Sequence, residues 1–404
     1  MPKQPHIGLG ELITLLAMMT SLGALTIDLQ LPAMPLIAEY YGLQVANHQQ
    51  WIITAYMLGF AAAQLFYGPV SDSIGRKPVL MFGVGLYVLA SILCLFADNY
   101  TLFLLARALQ GAGAAAARIM VNAITRDHFA GNEMARVTSL VMMMFIMVPV
   151  FAPTLGSLLL LVGPWQWILY AYLLFGCLIV LWSGFRLPES LPAERRKPLK
   201  MATHWAAFVR VIKQPLSMTF AVISGIIFSG FMAYLNSAQQ LFDQVYGVAE
   251  YFPMIFGGIA LFFGLAAYAN AKVVMHFGAF RVTQVALTLM LICNTLGLIL
   301  CWLYAGIPPL WVLMLLLGSI NISIGLAYGN LIAIAMWPLG DDAGMGASVI
   351  GVVSALIAAS LGIGISLQLS ATVMPVMIGF FSTSLLAFIM LQLSRRHVPK
   401  AASE

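Results

Sequence analysis

The sequence predicts an all-α membrane protein: twelve transmembrane helices in two six-helix halves, with both termini on the cytoplasmic side. Three observations predict it. The 404-residue chain is 62% hydrophobic and only 8% charged, with a mean hydropathy of +0.96, whereas ordinary globular chains carry roughly 25% charged residues. Apolar runs of about 20 residues, each long enough to cross ~30 Å of hydrocarbon as a helix, recur along the whole chain. Basic residues fall only in alternate connections, which gives the spans a common orientation.

The spans lie at about 9–37, 51–69, 78–97, 102–125, 135–161, 166–184, 215–237, 251–271, 282–304, 310–337, 344–368 and 375–394. The first, fifth and tenth are long enough to tilt or bend. With an inner N-terminus, every Lys and Arg except Arg107 and Arg118 falls on the cytoplasmic side. Glu39, Asp98, Asp243 and Glu250 fall outside. An even number of spans returns the C-terminus to the same side. The basic pI of about 9.0 thus follows from topology and does not argue for nucleic-acid binding.

The first run has no cleavage-like exit and is ended by Pro32 and Pro35, so it reads as a retained helix rather than a signal peptide. Cys94, Cys177, Cys293 and Cys301 sit within spans at unrelated spacings. They read as small buried apolar residues, with no disulfide or metal cluster implied. The longest cytoplasmic segment, Ser183 to Pro215, is basic and punctuated by proline. The division that follows is an N-terminal bundle over 1–185, a solvated linker over 186–214 and a C-terminal bundle over 215–404. Around His204 to Ile212 the linker suits a short helix on the membrane surface. GPVSDSIGRKPVL, between spans two and three, and YANAKVVMHFGAFRV, between spans eight and nine, share a small residue at the helix exit, a basic group and a glycine followed closely by arginine. This weak likeness stands where a repeated six-helix unit requires it.

Phosphate-cradle and zinc-protease motifs are absent, and the six histidines scatter over loops and ends. No nucleophile–base spacing argues for an intramembrane enzyme, so the reading is a non-enzyme with no catalytic residues, no metal site and no cofactor.

The string GPVSDSIGRKP carries Gly68, Asp72, Gly75 and Arg76. Asp72 and Arg76 are four apart, within pairing distance on a helical turn, and Pro78 suits the first turn of the next helix. The order resembles the signature loop of the major facilitator superfamily of transporters. That resemblance implies a cytoplasmic latch in which Asp72 faces the start of the eleventh span, around Ala343–Ala347, and Arg76 pairs with Asp127. LARALQGAGAAAA resembles the family's fourth-helix motif. VPVFAPTLGS, with Pro149, Pro153 and Gly156, resembles the fifth-helix motif of its antiporters, with Ser157 in place of a second glycine. TIDLQLPAMP and VNAITRD resemble the bicyclomycin-resistance-like branch of drug:proton antiporters, with Gln30 where that branch has tyrosine and Arg118 as an addition.

A charge at the bilayer centre costs at least ~2.5–3.5 kcal/mol on insertion scales, so Arg107 and Arg118 need compensation. Eleven residues apart, they lie within ~20° of one another and ~16 Å apart on one helix face. Gly111, Ala114 and Ala115 share that face, which leaves it narrow enough for a close neighbour or an open cavity. Asp28 is the only acid deep within a span, at a depth similar to that of Arg107. One reading is a fixed pair holding the first and fourth spans together. The other is a proton site: burial favours a neutral carboxyl, a nearby guanidinium favours the ionised one, and their separation switches it. Arg118 is matched by helix carbonyls or water, or it faces a cavity for dipolar or anionic compounds. Tyr56, Gln64, Tyr234, Asn236, Asn321, Tyr328 and Asn330 are candidate cavity walls, each equally suited to a helix–helix hydrogen bond. The methionines, Met142, Met143 and Met144 among them, suit adaptable packing.

The resemblance implies a monomeric exporter of small amphiphilic drugs or toxic metabolites in a bacterial inner membrane, driven by the proton gradient alone. Its partners are the small molecule, protons and lipid, with no nucleic acid. The alternatives are a proton symporter or exporter of one metabolite and, from another class, a non-transporting membrane sensor.

Overall fold

The computed structural model describes residues 7–129, 131–196 and 201–395; the side chains at 46, 131–136, 138, 139, 142, 143, 146, 201–203, 271 and 341–343 fall outside that description. Met142, Met143 and Ala343 are thereby outside it, whereas Met144 is an exposed side chain.

The described residues form helices and no strand. Helix α1 (Leu9–Asp28) and α2 (Met34–Tyr40) build the first span across a short turn. They are followed by α3 (Trp51–Ile74), α4 (Arg76–Leu95), α5 (Tyr100–His128), α6 (Gly131–Val162) and α7 (Gln166–Arg186). A short helix, α8 (Met201–Ile212), precedes α9 (Pro215–Gln240), α10 (Phe252–Phe277), α11 (Ala279–Leu303), α12 (Leu310–Met336), α13 (Ala343–Ser366) and α14 (Met374–Ser394). Among the described residues, eleven spans are long and apolar enough to cross a membrane, and the apolar stretch Met147–Val162 of α6 supplies a shorter further one. The first span breaks where expected, because Pro32 and Pro35 bring no N–H to continue the ladder. Asn99 caps α5, its Oδ1 accepting from the Leu102 N–H at 2.9 Å.

The chain divides into two compact units, residues 1–41 with 55–204 and residues 42–54 with 205–404. In the first, α1 packs on α5, α6 and α7, and α4 packs on α5 and α7. In the second, α9 packs on α12, α13 and α14, and α11 packs on α12 and α14. Spans one, three, four, five and six are thus paired as spans seven, nine, ten, eleven and twelve are. The repeat that the loop sequences barely hint at is plain in the packing.

Small residues set these crossings. A Cβ on Gly111 of α5 would collide with the Tyr56 carbonyl oxygen of α3, so α3 and α5 touch backbone to backbone. Of the two possibilities for the narrow face of the fourth span, the close neighbour is the one observed.

Residues 42–54 join the second unit through neutral amides. Asn47 Nδ2 donates to the Leu367 and Leu369 carbonyls at 2.6 and 2.8 Å. Gln240 Nε2 donates to Asn47 Oδ1 at 2.6 Å and to Gln244 Oε1 at 3.0 Å. Gln49 and Gln50 both donate to Gln240 Oε1, at 3.3 and 3.2 Å.

Candidate functional site

The interior site of the first unit forms where α1 ends. The last carbonyls of a helix have no partner within it, and that of Thr26 accepts from Tyr172 Oη at 2.9 Å and from Arg107 Nη2 at 3.4 Å. Arg107 is completely buried. Its Nη1 donates to Gln110 Oε1, whose amide nitrogen donates onward to Ser91 Oγ at 2.6 Å. The guanidinium carbon lies 5.0 Å from the centre of the Tyr56 ring and 5.8 Å from that of Tyr172, inside the range of cation–π attraction. Tyr87 Oη and Thr26 Oγ1 share a hydrogen bond of 2.8 Å. Arg107 Nε has no hydrogen-bond partner among the described residues.

Asp28 is 3% exposed, and no described residue gives it an ion pair or a hydrogen bond. The fixed Asp28–Arg107 pair is therefore not formed. The depth estimate holds, since Arg107 reaches the carbonyl two residues before Asp28. What spacing along the chain did not reveal is that neutral acceptors and two ring faces already surround the guanidinium. The expected pair is thus two separate buried groups, a cation held by neutral partners and an acid with no partner among the described residues.

A second cluster assembles around the loop between α3 and α4. Gly75 has φ +110°, a conformation that β-carbons disfavour; it turns the chain between the two helices. Arg76 pairs with Asp72 at 2.6 Å and with Asp127, at the end of α5, at 3.0 Å. Its Nη1 also donates to Ser71 Oγ at 2.6 Å. Gly68 closes the turn before, its carbonyl accepting from Ser71 Oγ at 2.8 Å. The eleventh-span partner expected for Asp72 belongs to the other unit; within its own unit Asp72 turns to Arg76.

Sequence reasoning missed two members of this cluster. Glu189 Oε1 accepts from the Arg76 N–H at 2.9 Å, and its Oε2 accepts from the Lys77 N–H at 3.2 Å. Pro78 has no N–H, so Glu189 takes the two free donors before it and places an anion at a helix N-terminus. Ser190 Oγ donates to Asp127 Oδ2 at 3.0 Å. The start of the segment read as a solvated linker is thus fastened to the loop, a correction caused by those unpaired N–H groups. An acid directly after Pro188, in an otherwise basic stretch, was the available signal.

Residues 16–367 match the Major Facilitator Superfamily. The chain belongs to that superfamily. Its relatives include the uncharacterised MFS-type transporter YdgK of Bacillus subtilis (strain 168), 30% identical over 349 residues, or 85% of each chain. Multidrug resistance protein MdtL of Escherichia coli (strain K12 / DH10B) is 29% identical over 329 residues, or 81% of each chain. The fold is shared with the crystal structure of the human organic anion transporter MFSD10 (TETRAN), at 19% identity and a TM-score of 0.66 over 96% of this chain and all of that one. It is shared also with that of the D-xylose-proton symporter, at 12% identity and a TM-score of 0.74 over 98% of this chain and all of that one. As a member of this transporter superfamily the chain is an integral membrane protein and not an enzyme.

The remaining expected site residues are dispersed through this transporter fold. Pro149 and Pro153 lie inside α6, and a Cβ on Gly156 would strike the Leu29 carbonyl oxygen, so the fifth-span motif seats α6 against the break in the first span. Arg118 is half-buried, its guanidinium 5.7 Å from the Phe145 ring centre. Tyr56 serves Arg107, and Gln64 is buried. In the second unit Tyr234 stacks on Phe256 at 5.6 Å, and Tyr328 lies 4.9 Å from Phe228. Asn236 Nδ2 donates to Thr54 Oγ1 at 3.4 Å. Asn321 bonds its own helix at Leu317. Asn330 and Asn270 exchange amide hydrogen bonds at 2.9 and 3.2 Å, the helix–helix alternative.

Proposed function

We propose that this superfamily member is a secondary active transporter that exports small amphiphilic drugs or toxic metabolites in exchange for protons. It works by alternating access, as a monomer in a bacterial cytoplasmic membrane with both termini inside. The observation that carries this reading is Asp28: a buried acid within the membrane, unpaired among the described residues, two residues beyond the carbonyl that the buried cation Arg107 reaches. An intramembrane acid held without a counter-ion is suited to bind and release a proton. Arg107 is held in place by neutral groups. The kinship with a multidrug resistance protein supports drugs as substrates. One proton moving down 100 mV supplies about 2.3 kcal/mol, enough for roughly a fiftyfold gradient of a neutral compound.

The test uses inverted membrane vesicles with an imposed proton gradient and a panel of phenicols, bicyclic peptides, sulfonamides and lipophilic cations. An active compound is expected to release protons from the lumen with wild type and to release none with Asp28→Asn. Wild-type behaviour of Asp28→Asn would remove Asp28 as the proton carrier. Silence across the panel, with proton-coupled uptake of a metabolite instead, would replace export by symport.

A further inference from the structure

We infer that the second unit carries a binding site for the ammonium group of a small organic amine, built from side-chain amide oxygens where residues 47–54 meet the end of α9. All of these residues belong to that one unit. Gln50, Asn236 and Gln239 are each more than nine-tenths buried. Gln50 Oε1, Asn236 Oδ1 and Gln239 Oε1 have no hydrogen-bond partner among the described residues. A buried acceptor left without a donor is destabilising. These three are neighbours: Asn236 and Gln239 are three apart on one face of α9, and Asn236 reaches Thr54, one turn after Gln50, at 3.4 Å. A ligand that brings donors answers all three.

Main-chain carbonyls, which cannot be reversed, fix the polarity of two of these amides. The Leu367 and Leu369 carbonyls take Asn47 Nδ2, so Asn47 Oδ1 is the acceptor for Gln240 Nε2. Gln240 Oε1 then receives Gln49 and Gln50 Nε2, which leaves Gln50 Oε1 over. On the next rung Thr54 gives its hydroxyl proton to the Gln50 carbonyl at 3.2 Å. Its oxygen therefore receives Asn236 Nδ2, which leaves Asn236 Oδ1 over. Reversing either amide would set oxygen against oxygen. Gln50 and Thr54, like Asn236 and Gln240, are four apart, so the two rungs lie ~6 Å from each other.

A primary ammonium carries three N–H donors and no acceptor, and carbonyl dipoles can replace the hydration of a monovalent cation. A single water has two donors and satisfies at most two of the three oxygens. The stretches 42–54, 229–251 and 363–373 hold two acids, Asp243 and Glu250, one histidine, His48, and no lysine or arginine, so a cation is favoured over a neutral donor. There α9 gives way to a single π turn, Leu241–Val245, a form frequent at functional sites. As the class of compound transported, the amine rests on the exporter reading; as a bound ligand it is independent of Asp28.

The test is thermal unfolding of the full chain in detergent and amine-free buffer, with phenethylammonium and its trimethylated analogue as probes. The two share ring and charge and differ in N–H donors. Phenethylammonium is expected to raise the unfolding midpoint, with an apparent Kd at least about tenfold below that of the trimethylated compound. Asn236→Leu and Gln50→Leu should each weaken phenethylammonium about tenfold without lowering the ligand-free midpoint, since each removes an unpaired acceptor. An amide with a purely structural role would lower that midpoint and leave the response to the probes unchanged. Equal shifts by the two probes in wild type, or no shift by either at millimolar concentration, would overturn the site and leave water on the oxygens. Undiminished discrimination in both variants would overturn its location. A shift by sodium chloride over choline chloride, with none by phenethylammonium, would replace the amine by an alkali cation. The wild-type comparison decides even where a variant does not fold. No proton gradient enters these readings, so their failure leaves the vesicle experiment standing, and silence in the vesicles leaves this site standing.

Discussion

The two units pair their helices in the same way yet differ in what they bury. Among the described residues, every buried charged side chain, Asp28, Arg76 and Arg107, belongs to the first. The second joins its helices with neutral groups: Ser224 with Ser354 at 2.6 Å, Asn294 to the Phe380 carbonyl at 3.1 Å, and the Asn270–Asn330 exchange. Their inter-helix loops differ likewise. Between α3 and α4 stands a network of Arg76, Asp72, Asp127 and Glu189, whereas before the matching junction Lys272, in the last turns of α10, lies over the Tyr268 ring at 4.8 Å. Packing of apolar and small residues therefore suffices to build this bundle, and buried charge, among the described residues, is an addition made in one copy. Because buried charge is costly in a membrane, its distribution among the described residues singles out the first unit for the tests that follow.

The comparison is broken most easily at its charges. Asp28→Asn or Arg107→Gln should abolish proton-coupled movement in vesicles, while Asn294→Leu should leave it within about twofold; equal losses would mean that charge is not special. Next in size is packing. Gly111→Leu should prevent stable insertion, because overpacking costs about 1–3 kcal/mol or more where backbones touch, as read by the yield of monodisperse protein. Gly329→Ala, with open space around its Cβ position, should yield as wild type. A smaller change is expected at the loop: Glu189→Gln removes an anion from a helix N-terminus worth about 0.3–1 kcal/mol. Transport rates should change about two- to fivefold, and raised salt should shrink the difference between variant and wild type. The smallest effect belongs to the neutral unit, where a double-mutant cycle of Asn270→Leu and Asn330→Leu should give a coupling near 0.6 kcal/mol in thermal stability.

The helices, their order and the break at Pro32 were legible from the sequence, since apolar length and proline chemistry are local properties. Asp72 and Arg76 were legible as a pair because they stand four apart in one motif, and Asp127 joined them because the resemblance of that motif to a family loop implied an acid at the end of the fourth span. Glu189 and Ser190 were not, because their partners are more than sixty residues away in the chain and the surrounding linker reads as solvated. For Arg107, chain spacing gave depth and helix face; it did not reveal Tyr56, Tyr172 and Gln110 as the groups around it.

Composition and periodicity by themselves determined that this is a membrane protein, where its helices run and which few charges require an explanation. Each follows from the cost of placing polar groups in hydrocarbon, which every residue bears wherever the chain goes. Only the tertiary structure decided that Asp28 stands apart from Arg107, that neutral groups hold the arginine, and that residues 42–54 fasten to the second unit. Those outcomes depend on which side chains the packing brings within reach of a shared acceptor across helices, and one-dimensional spacing carries no information about that competition.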